Sequence, residues 1–290
     1  MTLINDYIAL ARPKHWIKNV LIFVPCLFGG TILKKETIVA LLITFVSFSL
    51  IASSIYYIND IKDVSKDKLH DIKKNRPIAS GRVSILSASV IAIFLAAISV
   101  VILAGYFKGA TRIKIILVLL TYFLVNLFYS FGLKNQPIID VMSLAAGFVL
   151  RVVYGSIATG VAISQWLLLT ILMFSLYMGL GKRRNELRKV KNSMTRSVLK
   201  YYSDEYLSRI MLLTMSLGLV FYSLWASLIV KQGIIMVWTV PLVISILMKY
   251  ELNVEQDNFG DPVEVLTHDK IIFTLLALYV FIVFVVLYIL

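Results

Sequence analysis

The sequence predicts an all-α, polytopic membrane protein: one bundle of about nine transmembrane helices. Three observations predict it. Hydrophobic residues make up 59% of the chain, above the roughly 45–50% of a soluble domain. The mean hydropathy is +0.86. Apolar runs near spanning length recur from one end to the other with no long polar block, so residues 1–290 read as a single domain.

The runs fall at about 17–33, 38–58, 84–107, 113–131, 138–160, 163–181, 207–229, 233–248 and 271–290. The first holds Pro25 and Gly29-Gly30, which predict a kink or a partly re-entrant path. The eighth is short and holds Pro241. The first run lacks a small-residue cleavage site, so it is not read as a signal peptide. Cys26 is the single cysteine, which excludes a disulfide framework and a cysteine metal site. His15, His70 and His268 have no metal-ligand spacing.

With a cytoplasmic N-terminus, 22 of the 29 lysines and arginines lie in or beside the cytoplasmic loops. That asymmetry orients the chain. Fifteen of the 16 acidic residues lie on the same side, all but Glu36. Orientation does not require this, so charge of both signs on one face predicts a polar active surface at the cytoplasmic membrane face. The net charge of +13 is mostly accounted for by orientation, and no nucleic-acid partner is expected. A homo-oligomer remains open.

The second run ends in YYINDIKDVSKDKLHDIKKNRPIASGR. Asn59, Asp63 and Asp67 are spaced i, i+4, i+8, with Asp60 three residues before Asp63. On a continuing helix they share one face. Clustered oxygens suit a hard cation such as magnesium, which keeps several waters and bridges to substrate phosphates. Lys73 and Arg76 lie alongside and suit phosphate oxygens. The alternative is a mixed-charge, solvated juxtamembrane helix.

Asn59, Asp60, Asp63 and Asp67 resemble the first aspartate-rich motif of the UbiA superfamily of intramembrane prenyltransferases, and Arg76 to Gly81 resembles its R-P-I-A-S-G tail. The resemblance covers nearly the whole chain. It implies a helical bundle in which two such motifs face each other. Where the second is expected, the chain reads YMGLGKRRNELRK, with Lys182, Arg183, Arg184 and Arg188 where carboxylates are expected and only Glu186 acidic. A cationic wall binds phosphate directly and holds no second metal. This departure, with ARPKHWIKNVLIFVP, NLFYSFGLKNQPIIDV, GFVLRVVYG and GDPVEVLTHDK, resembles the decaprenyl-phosphate phosphoribosyltransferase branch. That branch implies transfer of 5-phosphoribose from phosphoribosyl pyrophosphate to a polyprenyl phosphate, with Mg2+ on Asn59, Asp63 and Asp67. Two other readings compete: a prenyl-diphosphate transferase, and a transporter or lipid flippase.

Further candidates are spread along the chain. Lys14 and Lys18, spaced i, i+4, suit an anionic head group or, with Trp16, interfacial anchoring. Tyr129 and Lys134 flank the end of the fourth run, and Asp140 opens the fifth. Arg151 lies about 16 Å deeper than Asp140 at ~1.5 Å per residue. A charge at that depth marks a phosphate site or a buried structural pair, with Tyr154 on the same face. Lys182 and Arg183 are candidates for phosphate binding; Arg188, Lys189 and Lys191 are read mainly as anchors. Asp261 and Glu264 suit a lid or a structural role.

Overall fold

A computed structural model describes residues 3–188, 197–256, 265 and 268–290. Lys189, Lys191, Asp261 and Glu264 lie outside the described residues. The elements, in order, are α1 (Leu3–Ala11), a 3-10 helix (Pro13–Phe23), α2 (Val24–Phe28), α3 (Lys35–Lys62), α4 (Val64–Lys68), α5 (Ile85–Tyr106), α6 (Gly109–Phe131) and α7 (Ile139–Thr159). Then follow α8 (Gln165–Arg188), α9 (Asp204–Leu228), α10 (Gly233–Met236), α11 (Val240–Glu255) and α12 (Lys270–Tyr288).

Eight helical stretches among the described residues are long and apolar enough to span a bilayer, with α10 and α11 counted as one. The difference from nine arises in the first expected span. There the chain forms an 11-residue 3-10 helix followed by the five residues of α2. Long 3-10 runs are uncommon because their hydrogen bonds are poorer. Here tertiary contacts select it. Three 3-10 residues rise about 6 Å, the same as four α-helical residues. Trp16 and Asn19 therefore match Ser53 and Ser49 of α3. Trp16 Nε1 donates to Ser53 Oγ at 3.0 Å, and Asn19 Nδ2 donates to Ser49 Oγ at 2.9 Å. On the other side Gly155 of α7 admits the Ile22 carbonyl so closely that a Cβ there would lie 2.0 Å from its oxygen.

The helix starts follow local chemistry. Ser84, Ser203 and Asp269 cap α5, α9 and α12 by accepting from backbone N–H groups. α7 stops at Gly160, whose φ of 70° suits glycine. Three hydrophobic cores lie among the described residues, the smallest formed by Leu10, Tyr57, Ile78, Val83, Ala88 and Ala92. Ile22, Phe48, Leu119 and Tyr154 lie in the first half; Tyr177, Tyr222, Trp225 and Val283 lie in the second. Outward-facing Ile93 and Phe94 on α5 and Phe273 and Phe281 on α12 are exposed, as lipid contact requires. At 28 residues α3 is about 42 Å long, longer than the ~30 Å hydrocarbon layer, so its last turns reach the charged end of the bundle.

Candidate functional site at the charged end of the bundle

The last turn of α3 carries Asn59 and Asp60, and the helix ends with Asp63 as its C-cap. The chain restarts as α4, which carries Asp67. Asp60 and Asp67 share a partner across the interruption, while Asp63 takes a different one. Asp60, 4% exposed, accepts from Arg12 Nη2 at 2.5 Å and from Arg76 Nη1 at 3.1 Å. The same Arg76 nitrogen donates to Asp67 Oδ2 at 2.7 Å. Lys134 Nζ reaches both oxygens of Asp63, at 2.8 and 2.9 Å. Asn59 Oδ1 accepts from the Ser130 hydroxyl of α6.

The neighbouring residue, Tyr129, faces the other way, toward α8. Its hydroxyl accepts from Arg183 Nη2 at 3.1 Å. Arg183 has no exposed surface; its Nε donates to Asp140 Oδ2 at 2.5 Å and its Nη1 to Glu186 at 2.8 Å. The other Asp140 oxygen accepts from the Tyr202 hydroxyl at 2.7 Å. Burial, and then the bond to Asp140, push the Tyr202 phenol above its usual range, so it stays a donor at neutral pH. Arg184 pairs with Asp204, Glu251 and Glu255, and Arg188 with Asp204 and Glu255.

The two halves thus carry opposite charge patterns. In the first, acids sit at the end of α3 and cations come from Arg12, Arg76 and Lys134. In the second, cations sit on α8 and acids come from Asp140, Asp204, Glu251 and Glu255. The end of α6 joins the two, through Ser130 on one side and Tyr129 on the other.

Of the sequence candidates, Asn59, Asp60, Asp63, Asp67, Arg76 and Lys134 meet in the first cluster, and Tyr129, Asp140 and Arg183 in the second. Lys182 is half-buried on α8, and Lys73 is exposed on a short turn. Lys14 and Lys18 do not share a face. At 3.0 residues per turn, four residues rotate by about 480°, leaving them about 120° apart; Lys14 is exposed and Lys18 half-buried. Arg151 and Tyr154 lie apart, in the first core. Arg151 donates to Asn19 Oδ1 at 2.8 Å, to the Gly147 carbonyl at 2.6 Å and to the Tyr122 hydroxyl at 3.0 Å, and its guanidinium packs over Phe48. The Tyr154 hydroxyl lies 3.2 Å from Ser47 Oγ.

Sequence reasoning missed Arg12, Ser130 and Tyr202. Arg12 has φ 51° at the end of α1, which swings the chain so that its side chain reaches Asp60 and lies over Tyr56. The Arg-Pro pair was the available signal. Nothing local marks Ser130 or Tyr202.

A divalent cation fits the donor set by chemistry: Asn59, Asp63 and Asp67 offer only oxygen, and the Asp63 side chain is 27% exposed. Among the described residues no three acidic or histidine side chains converge on one point. The carboxylates face Lys134 and Arg76, which a bound metal would replace.

Among the described residues the protein is an all-helical membrane bundle with carboxylates and cations paired at one end, which places it in the class of polytopic helical membrane proteins. The chain belongs to the UbiA prenyltransferase family, whose model matches residues 22–266. It is 33% identical to the decaprenyl-phosphate phosphoribosyltransferase of Corynebacterium glutamicum, over 99% of this chain and 88% of the relative. The Mycobacterium tuberculosis enzyme of the same name is 32% identical, over 95% and 92%. The fold is similar to that of a UbiA homologue from Archaeoglobus fulgidus solved with GPP and Mg2+. The TM-score is 0.72, at 19% identity, over 97% of this chain and 99% of that one.

Proposed function

We propose that the protein transfers 5-phosphoribose from phosphoribosyl pyrophosphate to a polyprenyl phosphate of the decaprenyl type, releasing pyrophosphate, at the cytoplasmic membrane face. The observation that carries this reading is the charge inversion at the end of α8. With Lys182, Arg183 and Arg184 where a second aspartate-rich motif is expected, the acids of the second half are committed to arginines, Asp140 to Arg183 and Glu251 to Arg184, which leaves the motif at the end of α3 to serve one metal-bound diphosphate. Relatives named for this reaction at 32–33% identity over nearly the full chain support it.

In the reaction, an oxygen of the lipid phosphate attacks the anomeric carbon. The bond from that carbon to pyrophosphate breaks, and pyrophosphate leaves with the electron pair. The lipid phosphate is already anionic, so positioning and charge stabilisation are the main catalytic needs. Mg2+ held by Asn59, Asp63 and Asp67 would supply Lewis-acid stabilisation of the leaving pyrophosphate. Lys134 and Arg76, now facing Asp63, Asp60 and Asp67, are placed to exchange a carboxylate for a phosphate oxygen. Asp60, accepting from both Arg12 and Arg76, holds these guanidinium groups in register. Tyr129, which accepts from Arg183, and Lys182 are assigned to the phosphate of the second substrate.

A groove of about 900 Å³ runs between the 3-10 helix and α12, lined by Ile17, Phe273, Val280, Phe281 and Phe284, with Asp269 and Lys270 at one end. Its apolar walls suit the isoprenoid tail.

The test is incubation of the membrane-embedded protein with phosphoribosyl pyrophosphate, Mg2+ and decaprenyl phosphate. Lipid-linked phosphoribose and pyrophosphate are expected in equal amounts. Product formed only from a prenyl diphosphate and an aromatic acceptor would overturn the assignment.

A further inference from the structure

The loop from α6 to α7 carries Lys134 and ends in an unusual turn. Ile138 has φ 69° and ψ −50°, and the Ile139 N–H donates to the Pro137 carbonyl at 2.8 Å. This is the γ-turn with positive φ, which is rare and strained. A β-branched residue there is a genuine outlier. Such a conformation costs on the order of 1–3 kcal/mol and persists only where its surroundings over-determine it, commonly beside functional sites.

Those surroundings come from the second half of the bundle. The Ile138 N–H donates to the Tyr202 hydroxyl at 2.6 Å. That hydroxyl donates to Asp140, whose second oxygen is held by the fully buried Arg183. A second fastening runs from Ser197 Oγ to Asn135 Oδ1 at 2.9 Å. On the first-half side the same loop is held by Lys134 on Asp63. The Ile138 side chain is 59% exposed, so packing does not explain its conformation.

We propose that Arg183, Asp140 and Tyr202 form a brace that holds the Ile138 turn and so sets Lys134 against Asp63. Arg183 and Tyr202 are then positioning residues. The arginine standing where a carboxylate motif is expected acts through the loop. For its kinetic readout the inference rests on the phosphoribosyl-transfer reading.

Tyr202→Phe removes both hydrogen bonds and keeps the ring. Its kcat/KM for phosphoribosyl pyrophosphate should fall about 10- to 100-fold, the range for loss of an outer-shell partner. Ile138→Gly relieves the turn, since glycine takes positive φ at no steric cost. Alone it should stay within about twofold of the starting enzyme, and added to Tyr202→Phe it should recover about tenfold. A Tyr202 that only stabilises the fold would give no such recovery, and a double variant no better than Tyr202→Phe overturns the brace.

A second measurement does not depend on activity. Spin labels at Lys66→Cys and Gln136→Cys in a Cys26→Ser background report the loop against α4. A single narrow distance is expected, broadened by Tyr202→Phe; an unchanged distribution overturns the proposal. If the starting enzyme transfers no phosphoribose while the spin labels respond as expected, the functional reading fails and the brace stands.

Discussion

Of the motif acids Asp60, Asp63 and Asp67, Asp63 is the most exposed, and Lys134 holds both of its oxygens. Removing the carboxylate charge should remove a ligand and free the lysine together. Asp63→Asn is therefore expected to lower turnover by about 100-fold or more, while membrane insertion is unchanged. Normal turnover of the purified variant would remove Asp63 from the metal set. Arg183 behaves differently, because its charge and that of Asp140 are fully buried. Arg183→Met should destabilise the protein by about 3–5 kcal/mol, since it strands a buried carboxylate. Thermal unfolding in detergent checks this. Asn59, Asp60, Asp63 and Asp67 were legible as a motif, because all four lie within nine residues of one another. Their partners were not legible. Arg12 lies 48 residues from Asp60, and Lys134 lies 71 from Asp63. No local pattern encodes which residues that far apart become neighbours.

At the scale of elements, two contacts fix the entry and exit helices. Gly155 lets the 3-10 helix lie against α7, and a methyl group there would meet the Ile22 carbonyl at 2.0 Å. Gly155→Ala should cost about 1–3 kcal/mol or more, because backbone cannot yield as a side chain can. At the other end of the chain, Asp269 caps α12. Burial pushes its carboxyl up, but bonds from Asn253, the Ile272 and Ile271 amides and Lys249 outweigh this and bring it down to about 2. The folded pKa is thus below the unfolded value of about 3.9. The resulting stabilisation is complete above that value and is lost as pH falls toward about 2. The thermal midpoint should drop with acid in that window, with a shallower slope in Asp269→Asn. Element positions were largely legible, because hydrophobicity is a local property: α3, α5, α6, α7, α8, α9 and α12 coincide closely with the expected runs. The 3-10 helix was not. The same residues suit an α-helix, and only the match to Ser49 and Ser53 of α3 selects the tighter winding.

At the scale of the whole molecule, the ion pairs at the ends of α3 and α8 among the described residues gather acids and cations at one end of the bundle. If that end is cytoplasmic, a membrane-impermeant thiol reagent should label Lys108→Cys in intact cells. Lys66→Cys should react only after permeabilisation, with Cys26→Ser as background. The reverse pattern would place the site on the outer face. The two halves are joined at the end of α6, so loss of either cluster should be felt by the other.

Sequence by itself determined the solvent, the approximate spans, the clustering of charge in one set of loops and the oxygen-rich string at the end of α3. Each of these is set by composition over a short window. Tertiary structure alone decided which charges are spent on one another. Arg183 read as a phosphate-binding cation, and Arg151 as either a phosphate site or a buried structural pair; each is enclosed by partners from other elements. Pairing depends on which helix faces become neighbours, and that is fixed by packing around the cores rather than by spacing along the chain.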